Sequence, residues 1–335
     1  MRKTGIQCTI GPSCEDAWTI AQLINAGARV FRFNLSHSSA AGTEDRYQAV
    51  LDARKMTGAD DVKIMFDLRG PEVRLLDLPG GELEWKTGET IVLPEVTYKN
   101  LINELEIGNM MLIDDGKIRL EVREIMENDI LCEVIQGGVV KSHKGINVPD
   151  VKMQMDYLRD DDMEDILWCI NHEVDYIAGS FIRREDDVKV LRKFIDDNGG
   201  QRLKIIAKLE NKEAIDNLEA IANIADIILV ARGDLGVEVG FENVPALQKR
   251  LCRRCAALGK RLIVATQLLE SMTNSPVPTR AEVSDIANAV YDGATDLLVT
   301  GETAAGKYPV EVIKELVKVV DTAEHDVARY GSDIL

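Results

Sequence analysis

The stretch Lys204-Ile-Ile-Ala-Lys208 is a short apolar run that ends in a charged residue, and Glu210 follows two positions later. A run of this length predicts a buried strand. Seven further runs share the pattern, with amphipathic, helix-like stretches between them: 5–10, 30–35, 62–67, 174–180, 227–231, 261–266 and 296–300. Eight strands that alternate with helices predict a parallel sheet closed into a (β/α)8 TIM barrel of the α/β class.

The pattern changes between the third and fourth runs. From Pro71 to about Val148, turn pairs such as Asp115-Gly116 separate short strand-like pieces. This predicts a small β-barrel-like domain inserted after the third strand, at residues 71–148. Taking those 78 residues from 335 leaves 257 for the barrel, at 1–70 and 149–335, close to the roughly 250 that are typical. A doubly wound open sheet is the alternative.

The composition excludes several classes of function. A net charge of −17 argues against nucleic acid and anionic membrane partners. No run approaches the roughly 18 apolar residues of a membrane span, and no signal-peptide core follows Met1, so we expect a cytoplasmic enzyme. The six cysteines are scattered, and Cys252 and Cys255 lack a second pair at zinc spacing, which predicts reduced thiols.

Polar side chains cluster where the apolar runs end, the edge at which barrel enzymes carry their catalytic groups. Alternation puts Lys208 and Glu210 on one side of their strand, and a structural ion pair is the simpler alternative for this lysine. Glu210 and Asp234 offer two oxygen ligands to Mg²⁺ or Mn²⁺. The residues at these ends are Arg32, Asn34, Ser36, Asp67, Ser180, Lys208, Glu210, Asp234 and Thr266.

Nine longer strings resemble the pyruvate kinase family, in its order and across nearly the whole chain. They are Cys8-Thr-Ile-Gly-Pro-Ser13, Arg32-Phe-Asn-Leu-Ser-His37, Asp67-Leu-Arg-Gly-Pro-Glu-Val-Arg74, Lys144-Gly-Ile-Asn-Val-Pro149, Ala207-Lys-Leu-Glu-Asn211, Ala231-Arg-Gly-Asp-Leu-Gly-Val-Glu238, Ala265-Thr-Gln-Leu-Leu-Glu-Ser-Met272, Pro278-Thr-Arg-Ala-Glu282 and Gly301-Glu-Thr-Ala304. The resemblance implies a glycolytic phosphotransferase that converts phosphoenolpyruvate and ADP to pyruvate and ATP. It also implies a catalytic barrel with an inserted lid, and we expect a chain ending at Leu335 to lack the family's C-terminal regulatory domain.

The resemblance further implies the residues that contact the substrates. Lys208 would neutralise the phosphoryl group in flight, Thr266 would belong to a proton relay, and the amides around Gly233 and Asp234 would hold the substrate carboxylate. With Lys208, the basic residues Arg32, Arg74 and Lys144 would form a local cationic cluster. Arg32 would be catalytic as well as nucleotide-binding, and the nucleotide-binding set would be Arg32, Asn34, His37, Arg74 and Lys144.

The same resemblance implies two kinds of metal site. Glu210 and Asp234 would hold Mg²⁺ or Mn²⁺. K⁺ would lie among Asn34, Ser36, Asp67 and the carbonyl group of Leu68. Glu72 stands where an acidic residue accompanies K⁺ dependence in the family, so K⁺ activation is expected.

Two other functions stay open at this stage. A metal-dependent lyase or aldolase could stabilise a pyruvate enolate on the same barrel, but Lys208 and Lys144 favour a phosphoryl clamp. A non-catalytic regulatory relative would not be expected to keep the polar rim. A homodimer through barrel helices, near residues 243–258, is the expected assembly, and sugar phosphates are expected to have no effect.

Overall fold

Eight parallel strands close into a barrel in the computed structural model, which describes residues 2–331 apart from the side chain of His37. In chain order the strands are β1 (Gly5–Thr9), β2 (Val30–Asn34), β3 (Lys63–Asp67), β4 (Val73–Arg74), β5 (Glu82–Trp85), β6 (Thr90–Val92), β7 (Met110–Ile113), β8 (Ile118–Ile125), β9 (Ile130–Gln136), β10 (Gly138–Lys141), β11 (Gly145–Asn147), β12 (Tyr176–Gly179), β13 (Lys204–Leu209), β14 (Ile227–Ala231), β15 (Arg261–Ala265) and β16 (Asp296–Val299).

The barrel consists of β1 to β3 and β12 to β16, and it closes where β1 pairs with β16. Each predicted apolar run overlaps one of these strands. The closed barrel is therefore confirmed, and the open-sheet alternative is wrong.

Helices follow the barrel strands and cover the outside of the barrel. They are α1 (Ala17–Ala26), α2 (Glu44–Thr57), α3 (Leu101–Glu104, within the insert), α4 (Asp160–Ile170), α5 (Glu185–Asp197), α6 (Lys212–Asp216), α7 (Leu218–Ile224), α8 (Arg232–Val239), α9 (Val244–Ala257), α10 (Arg280–Tyr291), α11 (Gly301–Ala304) and α12 (Pro309–Tyr330). The last helix starts at Pro309, because a proline is favourable in a first helical turn.

The barrel strands alternate between two hydrophobic clusters. Side chains such as Val30 and Met65 fill the barrel interior, while Phe31 and Phe66 pack between the strands and the helices. Because the interior set lies on alternate residues, Lys208 and Glu210 follow Ile206 on the inward face of β13. The polar rim is thus the upper end of the barrel interior.

The segment between β3 and α4 forms its own sheets around its own core. A six-stranded sheet has the order β4-β11-β7-β8-β9-β6, and β5 pairs with β10 in a two-stranded sheet. Trp85, Leu120 and Ile146 belong to the core that these sheets share. The part from β4 to β11 (73–147), hereafter the lid, matches the predicted insert in position, and the predicted limits at 71 and 148 stay a prediction.

No helix of residues 2–331 has the length and apolar character needed to cross a membrane. All six cysteines are buried free thiols. Cys252 and Cys255 share α9, and burial raises the pKa of Cys255 to about 11.

We predict that Phe66→Ala will destabilise the barrel strongly. The Phe66 ring is fully buried and stacks on Phe33 with ring centroids 4.7 Å apart. Loss of this contact leaves a cavity that should lower the free energy of unfolding by about 3–5 kcal/mol. Urea denaturation followed by circular dichroism measures the change. Phe241→Ala is the control, since Phe241 is 58% exposed; equal losses in both variants would contradict the prediction.

Candidate active site

The ammonium group of Lys208 lies at the centre of the polar rim. It contacts Glu210 Oε1 at 2.8 Å and Asp67 Oδ1 at 3.2 Å, and it donates to Ser180 Oγ at 2.7 Å. These contacts come from three different barrel strands or the loops that follow them. Burial alone would lower the pKa of Lys208, but Asp67 and Glu210 outweigh it and raise the pKa. The lysine therefore stays charged, as an electrostatic catalyst requires.

Asp67 joins this lysine to a second cation. Its Oδ2 accepts from Arg32 Nε at 2.7 Å, while Arg32 Nη1 reaches Thr9 Oγ1 at 3.1 Å. Burial alone would raise the pKa of Asp67, but Lys208 and Arg32 together lower it. The Asp67 carboxylate is thus a charged bridge that fixes both cations.

Glu210 and Asp234 form a pair of neighbouring carboxylates. Burial raises the pKa of Glu210 to about 7, with Lys208 opposing the rise and Asp234 adding to it. Burial also raises the pKa of Asp234. Phe181 N, on a residue with φ of 53°, donates to Glu210 Oε2 at 2.6 Å. Two buried acids that resist joint ionisation are suited to a cation between them.

The chemistry of this pair fits a divalent ion better than a structural role. Among the described side chains, no cluster of three or more His, Cys, Asp or Glu could hold a metal by itself. Glu210 and Asp234 would supply two hard oxygen ligands and leave the other positions to water and substrate, as Mg²⁺ prefers.

Thr266 occupies a strained backbone position next to α8. Its φ is 72°, which is rare for a β-branched residue, and Gln267 follows with φ of 53°. Gly233 N donates to Thr266 Oγ1 at 2.9 Å, and Arg232 Nη2 donates to the Thr266 carbonyl oxygen at 2.6 Å. The hydroxyl is therefore held at the start of the helix that carries Asp234.

Lid residues form one wall of the cleft. Arg74 pairs with Glu72 at 2.5 Å, and Lys144 pairs with Asp114 Oδ1 at 2.6 Å. The cleft between lid and barrel is lined by Arg32, Asn34, Ser36, Arg69, Glu72, Arg74, Asp114, Asp115, Lys144, Gly145, Asn147, Ser180, Phe181, Lys208, Glu210 and Asp234. Most of the predicted site residues thus share one cavity.

The cleft pairs its cations with as many carboxylates. Its described lining has five basic and five acidic side chains. Arg32, Arg74, Lys144 and Lys208 each contact a carboxylate, and Asp67 lies beneath them. The composition showed that cations were needed locally, but it could not show that each would be paired.

Three of the four residues proposed for a monovalent cation are close neighbours. Asn34 Oδ1 accepts from Ser36 Oγ at 3.0 Å, and Asn34 lies opposite Asp67 in the β2–β3 register. Leu68 follows Asp67 directly, and its amide donates to Ala178 O at 2.9 Å. The predicted nucleotide ligand His37 lies outside the described side chains.

Comparison with known proteins agrees with the fold. Residues 1–313 match the family described as pyruvate kinase, barrel domain. The chain belongs to the pyruvate kinase family. It is 42% identical to the Staphylococcus saprophyticus pyruvate kinase, over 97% of this chain and 57% of the relative. Identity to the Geobacillus stearothermophilus pyruvate kinase is 43%, over 95% and 56%.

A crystal structure of a pyruvate kinase from Cryptosporidium parvum superposes with a TM-score of 0.93 at 36% identity. That match covers 97% of this chain and 70% of the other. The chain therefore spans little more than half the length of the two curated relatives named above.

The sequence did not point to two residues that support the site, Asp162 and Asp114. Asp162 is buried and accepts from Arg69 N at 3.0 Å and Gly70 N at 3.2 Å, which holds the loop after β3. Asp114 pairs with Lys144. It lies in a turn of positive φ, directly before the turn pair Asp115-Gly116. For Asp114, the only sequence signal is an acidic residue near a turn glycine. For Asp162, the local sequence gives no signal.

We predict that Glu210→Gln and Asp234→Asn will each weaken Mn²⁺ binding by about tenfold or more, because each removes a charged oxygen ligand. Isothermal titration calorimetry measures the affinity, with circular dichroism to check folding. Glu213→Gln is the control, since this acid lines a separate pocket between residues 147–153 and α6, hereafter the hinge pocket, and not the cleft. Unchanged affinity in both site variants would show that the metal binds elsewhere.

Proposed function

We propose that this chain transfers the phosphoryl group of phosphoenolpyruvate to ADP, giving pyruvate and ATP. The observation that supports this most is the Lys208 ammonium, held by Asp67, Glu210 and Ser180 beside a carboxylate pair. A fixed cation next to a divalent-metal site is what a loose, highly charged phosphoryl transition state needs. Family membership supports the same reaction.

In this proposal the bond between phosphorus and the enol oxygen of phosphoenolpyruvate breaks as a bond to a β-phosphate oxygen of ADP forms. Lys208 would stabilise the charge on the equatorial oxygens during transfer. The enolate left behind takes up a proton at carbon and becomes pyruvate. The Thr266 hydroxyl, held at the helix start, would be part of the relay that delivers this proton.

The substrate carboxylate would lie at the N-terminus of α8. The helix dipole favours an anion there, and a carboxylate oxygen would replace Thr266 Oγ1 as the acceptor of the Gly233 amide. A Cβ built on Gly233 would meet nothing nearer than Thr266 Oγ1 at 3.7 Å, so protein packing alone does not require glycine at this position. Close approach of a substrate to the backbone would account for the missing side chain.

Mg²⁺ or Mn²⁺ would be held by Glu210 and Asp234. When bound, the ion would neutralise substrate oxygens and orient the reacting groups. Because the cleft carries equal numbers of described basic and acidic side chains, a bound divalent ion would also make it attractive to two anionic substrates.

Arg32, Arg74 and Lys144 are proposed to contact nucleotide phosphates, with Asn34 and His37 beside them. Lys144 and Arg74 come from the lid, and Arg32 comes from the barrel. This arrangement favours the kinase over an enolate lyase, which has no second phosphate to hold. A non-catalytic relative would have no need for the strained Thr266 backbone.

The proposal predicts ADP-dependent pyruvate formation that Lys208→Met abolishes. A coupled lactate dehydrogenase assay with phosphoenolpyruvate and Mg²⁺ would measure it, with and without ADP. The variant should lose about a thousandfold or more in kcat, because one fixed charge in the transition state is removed. Its Mn²⁺ affinity should remain measurable, since both carboxylates stay.

Two results would contradict this assignment. Pyruvate formation without ADP would favour the lyase, and near-normal turnover of the folded Lys208→Met variant would remove the lysine from the mechanism. Lys193→Met is the matched control, because Lys193 pairs with Asp197 on the exposed face of α5, outside the cleft.

K⁺ activation is proposed from the grouping of Asn34, Ser36, Asp67 and Leu68. Initial rates in KCl should exceed those in a bulky organic cation at equal ionic strength, because only the smaller ion fits among these oxygens. Glu72, at the position linked to K⁺ dependence, is half-buried and paired with Arg74. Equal rates in the two salts would sink this proposal.

A homodimer through barrel helices is also proposed, with α9 as part of the contact. This helix spans Val244–Ala257, within the predicted region, and the exposed Phe241 precedes it. The cytoplasmic location likewise stays a prediction.

A further inference from the structure

The lid is anchored to the barrel at two fixed points. Before the lid, Arg69 N and Gly70 N donate to Asp162, and a Cβ on Gly70 would lie only 2.5 Å from Ser180 O. After the lid, Arg183 donates to the carbonyl oxygens of Met153 at 3.0 Å and Met155 at 2.8 Å. Chain movement between lid and barrel must therefore occur between these anchors.

The sheets of the lid are continuous from β4 to β11, and short connectors join them to the barrel. Strand β4 pairs with β11, with Gly145 opposite Arg74 and Ile146 opposite Val73. This pairing joins the two ends of the lid. It leaves residues 71–72 and 148–152 as the connectors. In the second, Val148 and Val151 pack on the lid core, and Asp150 has φ of 67°. A few connector residues are the usual form of a hinge.

One side-chain hydrogen bond ties the end of β11 to the catalytic face of the barrel. Asn147 Nδ2 donates to Glu238 Oε1 at 3.0 Å. Glu238 lies one helical turn after Asp234 on α8, so the two carboxylates share a helix face. Burial raises the pKa of Glu238, while the Asn147 hydrogen bond lowers it. A carboxylate here accepts one directional bond from the lid.

We propose that Glu238 is a positioning residue that latches the lid. By accepting the Asn147 amide, it holds the lid cations Lys144 and Arg74 across the cleft from Asp234. Lys144 is only three residues before Asn147, and Asn147 itself lines the cleft, so loss of the bond displaces the cation directly. The inference rests on the proposed kinase function for its kinetic readout only.

A single charge-assisted hydrogen bond is strong enough to act as a latch. Such a bond changes a two-state equilibrium by roughly ten- to a hundredfold. Among the described residues, the Asn147–Glu238 bond is the one side-chain hydrogen bond from β4–β11 to a barrel strand or helix. Its loss would therefore remove the lid's only such tie.

The test reverses the polarity of the pair. Asn147→Asp puts two carboxylates face to face, whereas combining it with Glu238→Gln restores one donor and one acceptor. The single variant should raise the KM for ADP by about tenfold or more, with Mn²⁺ affinity nearly unchanged. Hydrogen exchange at residues 148–152 should rise in the single variant and fall back in the double variant.

Asp216→Asn is the matched control, because it removes a carboxylate from the hinge pocket without touching Asn147. Additive losses in the double variant, or exchange that Asn147→Asp leaves unchanged, would overturn the latch. Hydrogen exchange needs no turnover, so it separates the two hypotheses. A wild-type chain that makes no pyruvate from phosphoenolpyruvate and ADP would refute the kinase, while the exchange data would still test the latch.

Discussion

The buried carboxylate of Asp67 is the interaction on which the site depends. It is 1% exposed and accepts from Arg32 on one oxygen while it contacts Lys208 with the other. Neither cation could stay charged so deep in the barrel without a counter-charge, because desolvation of an unpaired ion costs several kcal/mol. The closed barrel supplies the geometry, since β3 ends between the strand of Arg32 and the strand that leads to Ser180. One side chain thus fixes the two cations relative to each other.

The pairing of every cleft cation explains how an acidic protein of net charge −17 would handle anionic substrates. Lys144 with Asp114 and Arg74 with Glu72 are ready-made pairs on the lid. A phosphate that binds Lys144 or Arg74 would compete with the carboxylate already paired with that cation. Attraction of the phosphate to the cleft would therefore depend on added positive charge. Burial raises the pKa values of Glu210 and Asp234, and Lys208 opposes the rise only in part. A divalent ion between these two acids would supply positive charge to them and to the incoming phosphate.

Sequence periodicity predicted the barrel and the meeting of Lys208 with Glu210, because a strand repeats every two residues and both follow Ile206. The ends of the other apolar runs indicated the remaining rim residues, and motif resemblance added Arg74, Lys144 and Gly233. Neither source predicted the Asn147–Glu238 bond, since its partners lie 91 residues apart and belong to separately folded parts. The positive φ of Thr266 was equally hidden, because a threonine at the end of an apolar run reads as ordinary strand. Local patterns predict strands and their faces, whereas long-range polar pairs depend on how those parts meet.

The insertion point links these features. The lid begins at Val73, six residues after Asp67, and Gly70 between them is fixed to the barrel through Asp162. A rotation of the lid would therefore pivot at residues that are close in sequence to Asp67. At its other end, Asn147 meets the helix that starts beside Thr266 and carries Asp234. In the proposed latch, a change in lid angle would alter the distance from Lys144 to Asp234 and leave the Lys208 cluster intact, because both ends of the lid attach close to site residues. Binding of an anion in the cleft would then change while the geometry around Lys208 stays constant.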